Sequence, residues 1–293
     1  MIARLKNPKN PTVRCAPRLA LAVTGLVLLA TSAQAAFDPE TAAAVDAALA
    51  GEHRSAEQKA RDVWRKPREV LEFFGFESDM TVVEIWPGNG WYTQILAPAL
   101  KDRGALYTAA ASPNDPYGFQ RRALGTFLKM MGDTPDLYRR VVVTTLSLPY
   151  DLDIAPRGSA DMVVTFRNVH NWFMDLFGGG KFAVLPFQAM YDALKPGGIL
   201  GIVDHRWPDP ATEDPVAGNG YVSKARTIAM AESVGFELVA ESDLLANPKD
   251  TRDHEGGVWS LPPSFALGEK ERDRYAAIGE SDRFALKFVK PAE

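Results

Sequence analysis

From residue 81 onward, short β-branched runs alternate with longer stretches whose apolar positions recur every three or four residues. That alternation predicts a mostly parallel sheet covered by helices. The predicted strands are residues 81–85, 105–109, 141–145, 162–166 and 199–204, with two further apolar runs at 236–240 and 283–289. The predicted helices between them are 92–100, 119–131, 183–194 and 223–234. Upstream, Ser55 with Gln58 forms a capping box, and Ala60, Val63, Trp64, Val70, Leu71 and Phe74 follow at roughly helical spacing. Pro67 is expected to kink or divide that helix. Residues 37–51 are alanine-rich and weakly patterned, and read as a leader arm or a frayed helix. Two segments break the alternation, 207–221 and 245–282. They follow the fifth and sixth strands, so their starts fall over the carboxyl edge of the sheet, where open α/β folds bind ligands.

The first 35 residues have a different character. Arg4, Lys6, Lys9, Arg14 and Arg18 precede an apolar run from Leu19 to Ala30, which ends in Thr31-Ser32-Ala33-Gln34-Ala35. Basic flank, apolar run and small residues at Ala33 and Ala35 make a secretory signal peptide, with cleavage expected after Ala35. An uncleaved anchor is the alternative, but a run of 12 residues is short of the roughly 20 needed to span a bilayer. Of 33 basic residues five lie in this leader, so the remainder carries a net charge of −9 against 37 acids. Such a surface does not seek nucleic acid or anionic lipid. The one cysteine, Cys15, also lies in the leader. A mature chain without thiols has no disulfide, thiolate metal site or cysteine nucleophile, which suits a periplasmic or secreted protein. The expected organisation is a leader over 1–35, a helical extension over 36–80 and one α/β domain over 81–293.

The most informative stretch is Val82-Val83-Glu84-Ile85-Trp86-Pro87-Gly88-Asn89-Gly90-Trp91-Tyr92-Thr93, a strand, a glycine turn and a helix start. Glycines let the backbone approach a ligand closely, and the following helix offers unpaired N–H groups. Glu84 to Gly90 resembles motif I of the class I S-adenosylmethionine-dependent methyltransferases. Leu194-Lys195-Pro196-Gly197-Gly198 is similar to the turn before that family's fifth strand, and Asp161-Met162-Val163-Val164 stands where the family has its fourth. More narrowly, residues 84–98 and Arg167-Asn168-Val169-His170-Asn171-Trp172 resemble an exported bacterial group of uncharacterised predicted methyltransferases. The resemblance covers residues 81–289. It implies a Rossmann-like fold with a seven-stranded, mostly parallel sheet in the order 3-2-1-4-5-7-6, helices on both faces, and S-adenosylmethionine over strands one and two.

The sequence departs from the family at three places. Trp86 stands where motif I opens with glycine, so its indole must point away or reshape the pocket. Ala110 occupies the end of the second strand, where many members have an acid that binds the ribose hydroxyls. Thr144 or Thr145 stands near the place of a third acid. Ser112 or Asn114 is the candidate replacement for the missing ribose ligand.

On the resemblance, the cofactor-binding residues are Glu84, Trp86, Gly88, Asn89, Gly90, Ser112 and Arg167. The candidate catalytic residues are His170 and Asn168, which follow the fourth strand directly. Imidazole exchanges a proton near neutral pH, which makes His170 the preferred base. The structural alternatives are that Asn168 or Asn171 caps a helix, Arg167 pairs with a core carboxylate and Trp172 packs. Glu84 either organises the turn or receives the cofactor's ammonium. Trp91, Tyr92 and Ile95 read as core, and His53 and His254 as solvated surface. Asp204-His205 offers a second acid/base pair or part of a metal site, but spacing fixes no third ligand, so no metal is expected. The leading function is methyl transfer to oxygen or nitrogen of a small molecule. The alternative is a non-enzymatic exported binding protein on a degenerate methyltransferase scaffold.

Overall fold

The computed structural model describes residues 36–292. The expected leader, 1–35, lies outside them. The β-branched runs form strands β1 (Thr81–Ile85), β2 (Ala105–Ala110), β3 (Val142–Thr145), β4 (Ala160–Phe166), β5 (Leu194–Trp207), β6 (Val222–Ser223), β7 (Glu237–Ser242) and β8 (Arg283–Val289). Seven of them hydrogen-bond in the order β3-β2-β1-β4-β5-β8-β7, with two-residue β6 paired to β5 off that path. Setting β6 aside, this is the order expected from the sequence. The strands from β3 through β5 are parallel, and β8 is antiparallel to both β5 and β7. The Leu194–Gly198 turn is absorbed into β5, where the pairing with β4 shifts register between Ala160 and Met162.

The helices are α1 (Pro39–Ala50), α2 (Ala56–Ala60), α3 (Asp62–Arg65), α4 (Pro67–Phe74), α5 (Thr93–Leu100), α6 (Gly118–Asp133), α7 (Pro135–Tyr138), α8 (Val169–Phe173), α9 (Val184–Ala193), α10 (Lys224–Ser233) and α11 (Arg272–Ile278). Residues 39–50 are a regular helix and not a frayed arm. Asp38 caps it by accepting from the N–H groups of Glu40 and Thr41, and Val45 and Ala48 are buried. The capping box at Ser55 and Gln58 starts α2. Pro67 divides the next helix: Lys66 turns left-handed, and Pro67 becomes the first residue of α4.

Successive strand residues point to opposite faces of the sheet. In β1, Val82 packs with α1, α4 and α5, whereas Val83 and Ile85 pack with α8 and α9. Glu84 therefore emerges on the α5 face at the carboxyl end of its strand. Trp91, Tyr92 and Ile95 are core, as expected, on that face. No helix among the described residues is long and apolar enough to cross a membrane.

Candidate functional site

Two chambers open at the carboxyl ends of β1, β2 and β4, on either side of a ridge made by Trp86, Pro87 and Gly88. The larger, about 320 Å³, is lined by Glu84, Asn89, Arg167, His170, His205 and four further charged residues described below. The smaller, about 120 Å³, is lined chiefly by Ala110, Ala111, Leu124, Phe127 and Phe177. Trp86, Pro87, Gly88, Asn168 and Asn171 border both.

The indole of Trp86 borders both chambers and is pinned toward the end of β3. Its Nε1 donates to the carbonyl of Leu146, just beyond β3, at 2.7 Å, and its ring packs on Phe177 and Trp172. Its own φ of 44° makes that swing possible. The two glycines behave differently. Gly88 has φ 59°, and a Cβ built there would meet nothing within 4 Å, so its backbone faces open space. Gly90 has φ 79°, but Met130 of α6 lies 2.7 Å from where its Cβ would be. Gly90 thus serves helix packing and borders neither chamber, which corrects its expected role in binding.

Asn168 does not cap α8. Its Nδ2 reaches back to the carbonyl of Ile85 at 2.9 Å and to Thr165 Oγ1 at 3.1 Å, so the amide clasps the end of β1 to the end of β4. With those donors committed the amide positions the turn, while the residue still borders both chambers. Ser112 also departs from expectation: its Oγ accepts from the N–H of Asn114 in a local turn, and it lines neither chamber. Gln120 of α6 is the polar side chain that does face the smaller chamber near Ala110. The sequence reading missed it because a helical glutamine reads as surface.

Glu84 is 2% exposed, and its Oε2 accepts from Thr93 Oγ1 at 2.6 Å. Burial pushes its pKa up to about 7, against the hydrogen bond from Thr93. Arg167 is half-buried with φ 65°, and no ion-pair or hydrogen-bond partner meets its side chain among the described residues. The core carboxylate considered for it is not in contact. Burial, helped by neighbouring Arg283 and Arg61 and opposed by the charge of Glu280, lowers its pKa to about 10.

His170, 3% exposed, is held by Asp204. The carboxylate of Asp204 accepts from the backbone N–H groups of His170 and His205 at 3.1 and 2.7 Å. It then faces His170 Nδ1 at 2.8 Å. A carboxylate so held takes the Nδ1 proton as a third hydrogen bond, leaving Nε2 as the lone-pair nitrogen. The neighbouring ring of His205 lies 5.1 Å away, centroid to centroid. Burial, then the charges around it, hold the pKa of His205 well below the usual imidazole range, so it is neutral. Ser281 Oγ accepts from Arg283 Nε at 3.1 Å and meets His205 Nδ1 at 2.5 Å. A hydroxyl has one donor and two acceptor sites, so Ser281 can orient the His205 ring through Nδ1 in either tautomer. The chamber is thus bordered by two imidazoles, one oriented by a carboxylate and one by a hydroxyl.

His170, Asp204 and His205 bring three potential metal ligands within 4.8 Å of one another, the third ligand that spacing did not supply. Both oxygens of Asp204 are already engaged by N–H groups. His254 is buried against Asp250 at 2.9 Å, and His53 is half-buried with Nε2 2.7 Å from the carbonyl of Gln94. Neither is the solvated residue expected. Trp172 packs in the core.

The long loop 243–282 roofs the larger chamber with Val258, Trp259, Pro262 and Pro263. Loop 208–221 does not reach it. It props the roof instead, through the Val258 N–H to Asn219 carbonyl bond and the Tyr221 hydroxyl on Asp250.

The wall that sequence reading missed is ionic. Glu280, 2% exposed, pairs with Arg61 at 2.6 Å, with Arg65 at 3.1 Å and with Arg283. Burial alone would raise its pKa, but Arg283, Arg65, Arg167 and Arg61 outweigh burial and hold it far below the carboxylate range. Arg61 and Arg65 lie one helical turn apart in a charged stretch that reads as surface. Only a contact across 215 residues makes them a wall.

No family model matches the chain, and no curated protein matches it. Solved structures do. An S-adenosylmethionine-dependent methyltransferase from Aquifex aeolicus superposes with TM-score 0.50 at 14% identity, over 79% of this chain and 93% of that one. The [4+2]-cyclase SpnF gives TM-score 0.52 at 16% identity over 87% and 94%. A putative sarcosine dimethylglycine methyltransferase from Galdieria sulphuraria gives 0.52 at 13% over 82% and 88%. The fold is the class I methyltransferase fold. Within that fold, the chambers lie at the carboxyl edge of β1 and β2, and the ridge between them is the glycine turn.

Proposed function

We propose that this protein is an S-adenosylmethionine-dependent methyltransferase acting on oxygen or nitrogen of a small molecule, with His170 as the base. The observation that carries it is the union of an open glycine turn at Gly88 with a His170–Asp204 pair bordering the same chamber. A cleft that only bound a ligand would not need an imidazole oriented by a carboxylate.

The residues fit the cofactor at three points. Gly88 leaves space beside the backbone for a close approach, the smaller chamber with Leu124, Phe127 and Phe177 beside Gln120 and Asn171 suits a nucleoside, and Glu84 at the large chamber's wall suits an ammonium. Gln120 and Asn171 stand in for the ribose acid that Ala110 lacks. When bound, S-adenosylmethionine supplies an electrophilic methyl group. His170 Nε2 takes the proton from the acceptor's O–H or N–H, and Asp204 stabilises the imidazolium that results. His205 Nε2 holds the acceptor heteroatom in line by a hydrogen bond. Trp259 and the prolines of the roof exclude water.

The test is transfer of labelled methyl from S-adenosylmethionine to a panel of alcohols, phenols and amines, read by mass spectrometry. Label is expected in at least one acceptor, with a rate about 10²–10⁴-fold lower in His170→Gln. A His170→Gln protein that transfers at the native rate removes the base assignment, and label entering no acceptor despite donor binding removes the reaction. The leader reading extends the proposal to an exported enzyme, and a secreted chain whose N-terminus lies far from Ala36 would contradict that part.

A further inference from the structure

We propose that the large chamber takes an acceptor carrying an anionic oxygen group, a carboxylate or a phosphate, held by Arg61, Arg65, Arg167 and Arg283. The word acceptor rests on the methyl-transfer reading, whereas the anion site stands on the charges of the wall itself.

All four guanidinium groups line the chamber, and the carboxylates facing them are Glu280 and Glu84. Guanidinium stays charged in proteins. Glu280 is already shared among three of the arginines, and the Arg167 side chain has no hydrogen bond or ion pair among the described residues. Arg65 is 2% exposed, its guanidinium lies 4.4 Å over the Trp91 ring, and its Nη1 and Nη2, like Arg61 Nη2, have no hydrogen-bond acceptor among the described residues. Buried charge without compensation is strongly disfavoured, and buried donors are nearly always paired. Three segments far apart in sequence converge to create this condition: α3 and its N-cap bring Arg65 and Arg61, the residue after β4 is Arg167, and β8 starts with Arg283. An oxyanion entering the chamber would meet a wall whose positive charge comes from Arg167 and the three arginines around Glu280, in the same chamber as His170 and His205. Guanidinium forks match the planar carboxylate and the phosphate equally well.

The methyl donor does not reduce the chamber's net positive charge. It carries one carboxylate against a sulfonium and an ammonium, so it enters as a net cation and adds to the excess. The balancing anion must come with the other reactant. This predicts that acceptor and donor bind cooperatively, each relieving the charge that the other meets.

Calorimetry on the full chain decides it, with benzoate, phenyl phosphate and neutral benzyl alcohol as probes and S-adenosylhomocysteine as a separate ligand. At least one of the two acids should bind about tenfold tighter than the alcohol, and the tighter of the two tells carboxylate from phosphate. Arg167→Gln should lose that advantage. Arg61→Gln serves as a second variant, and circular dichroism establishes that each is folded. Equal binding of acids and alcohol, or undiminished acid binding in folded Arg167→Gln, overturns the proposal. So does an Arg167→Gln protein that loses only S-adenosylhomocysteine, because the arginines would then serve the donor's carboxylate. Acid binding without S-adenosylhomocysteine binding leaves the anion site standing and sinks the methyl-transfer reading instead.

Discussion

Glu84 shows how one residue's surroundings set its chemistry. Its pKa in the fold, about 7, stands above its ordinary 4.5 because it is buried. The folded protein therefore holds a proton between those values that the unfolded chain releases. Stability contributed by Glu84 is complete below pH 4.5, falls as pH rises, and is lost above about 7. Relative to Glu84→Gln, the wild type should lose roughly 3 kcal/mol across that window. Chemical denaturation of both proteins at several pH values checks it, and a difference that grows with pH instead would mean that the carboxyl is stabilised in its charged form. At the same scale, Gln120→Ala should weaken S-adenosylhomocysteine by about tenfold, the effect of one lost hydrogen bond to a ribose hydroxyl. Calorimetry reads this directly, and unchanged affinity would return the ribose to another residue.

At the scale of elements, the sequence was legible wherever local pattern and final environment agree. β1 and β8 begin and end where their apolar runs do, and Pro67 divides α3 from α4 as its missing N–H requires. Boundaries drifted where tertiary contact extends an element: β5 continues through Trp207 because β8 and β6 pair with it beyond the apolar run. The site was legible only in part. Glu84, Gly88, Arg167 and His170 lie together as their spacing around β1 and β4 suggested. Gly90 and Ser112 do not, because α6 covers the one and a turn engages the other. The two glycines give a paired expectation. Gly90→Ala forces a Cβ onto Met130 at positive φ and should cost about 2 kcal/mol or more of stability. Gly88→Ala meets no neighbour and should cost about 1 kcal/mol, the left-handed penalty alone. Urea melts of the two variants separate these outcomes, and equal losses would show that the turn is uniformly packed.

Across the whole molecule, Glu280 ties the first helices to the last strand. Arg61 and Arg65 arrive from the helices before the sheet and Arg283 from β8, and a single buried carboxylate neutralises part of all three. No local pattern announces such a contact, which is why the ionic wall was invisible in the sequence. Glu280→Gln should destabilise the protein by about 3–5 kcal/mol, since it leaves buried guanidinium groups uncompensated. A melt unchanged within error would show that the cluster is solvated and not buried.

The glycine turn joins these scales, because the account depends on a sulfonium nucleoside lying against Gly88 between the apolar and the ionic chamber. Calorimetric titration of the full chain with S-adenosylhomocysteine tests this most directly, with Gly88→Ala alongside. Saturable binding to the wild type, weakened about tenfold or more when a methyl group enters the open space, is the predicted result. Absence of heat with the wild type at millimolar ligand, or equal affinity in both proteins, would contradict it.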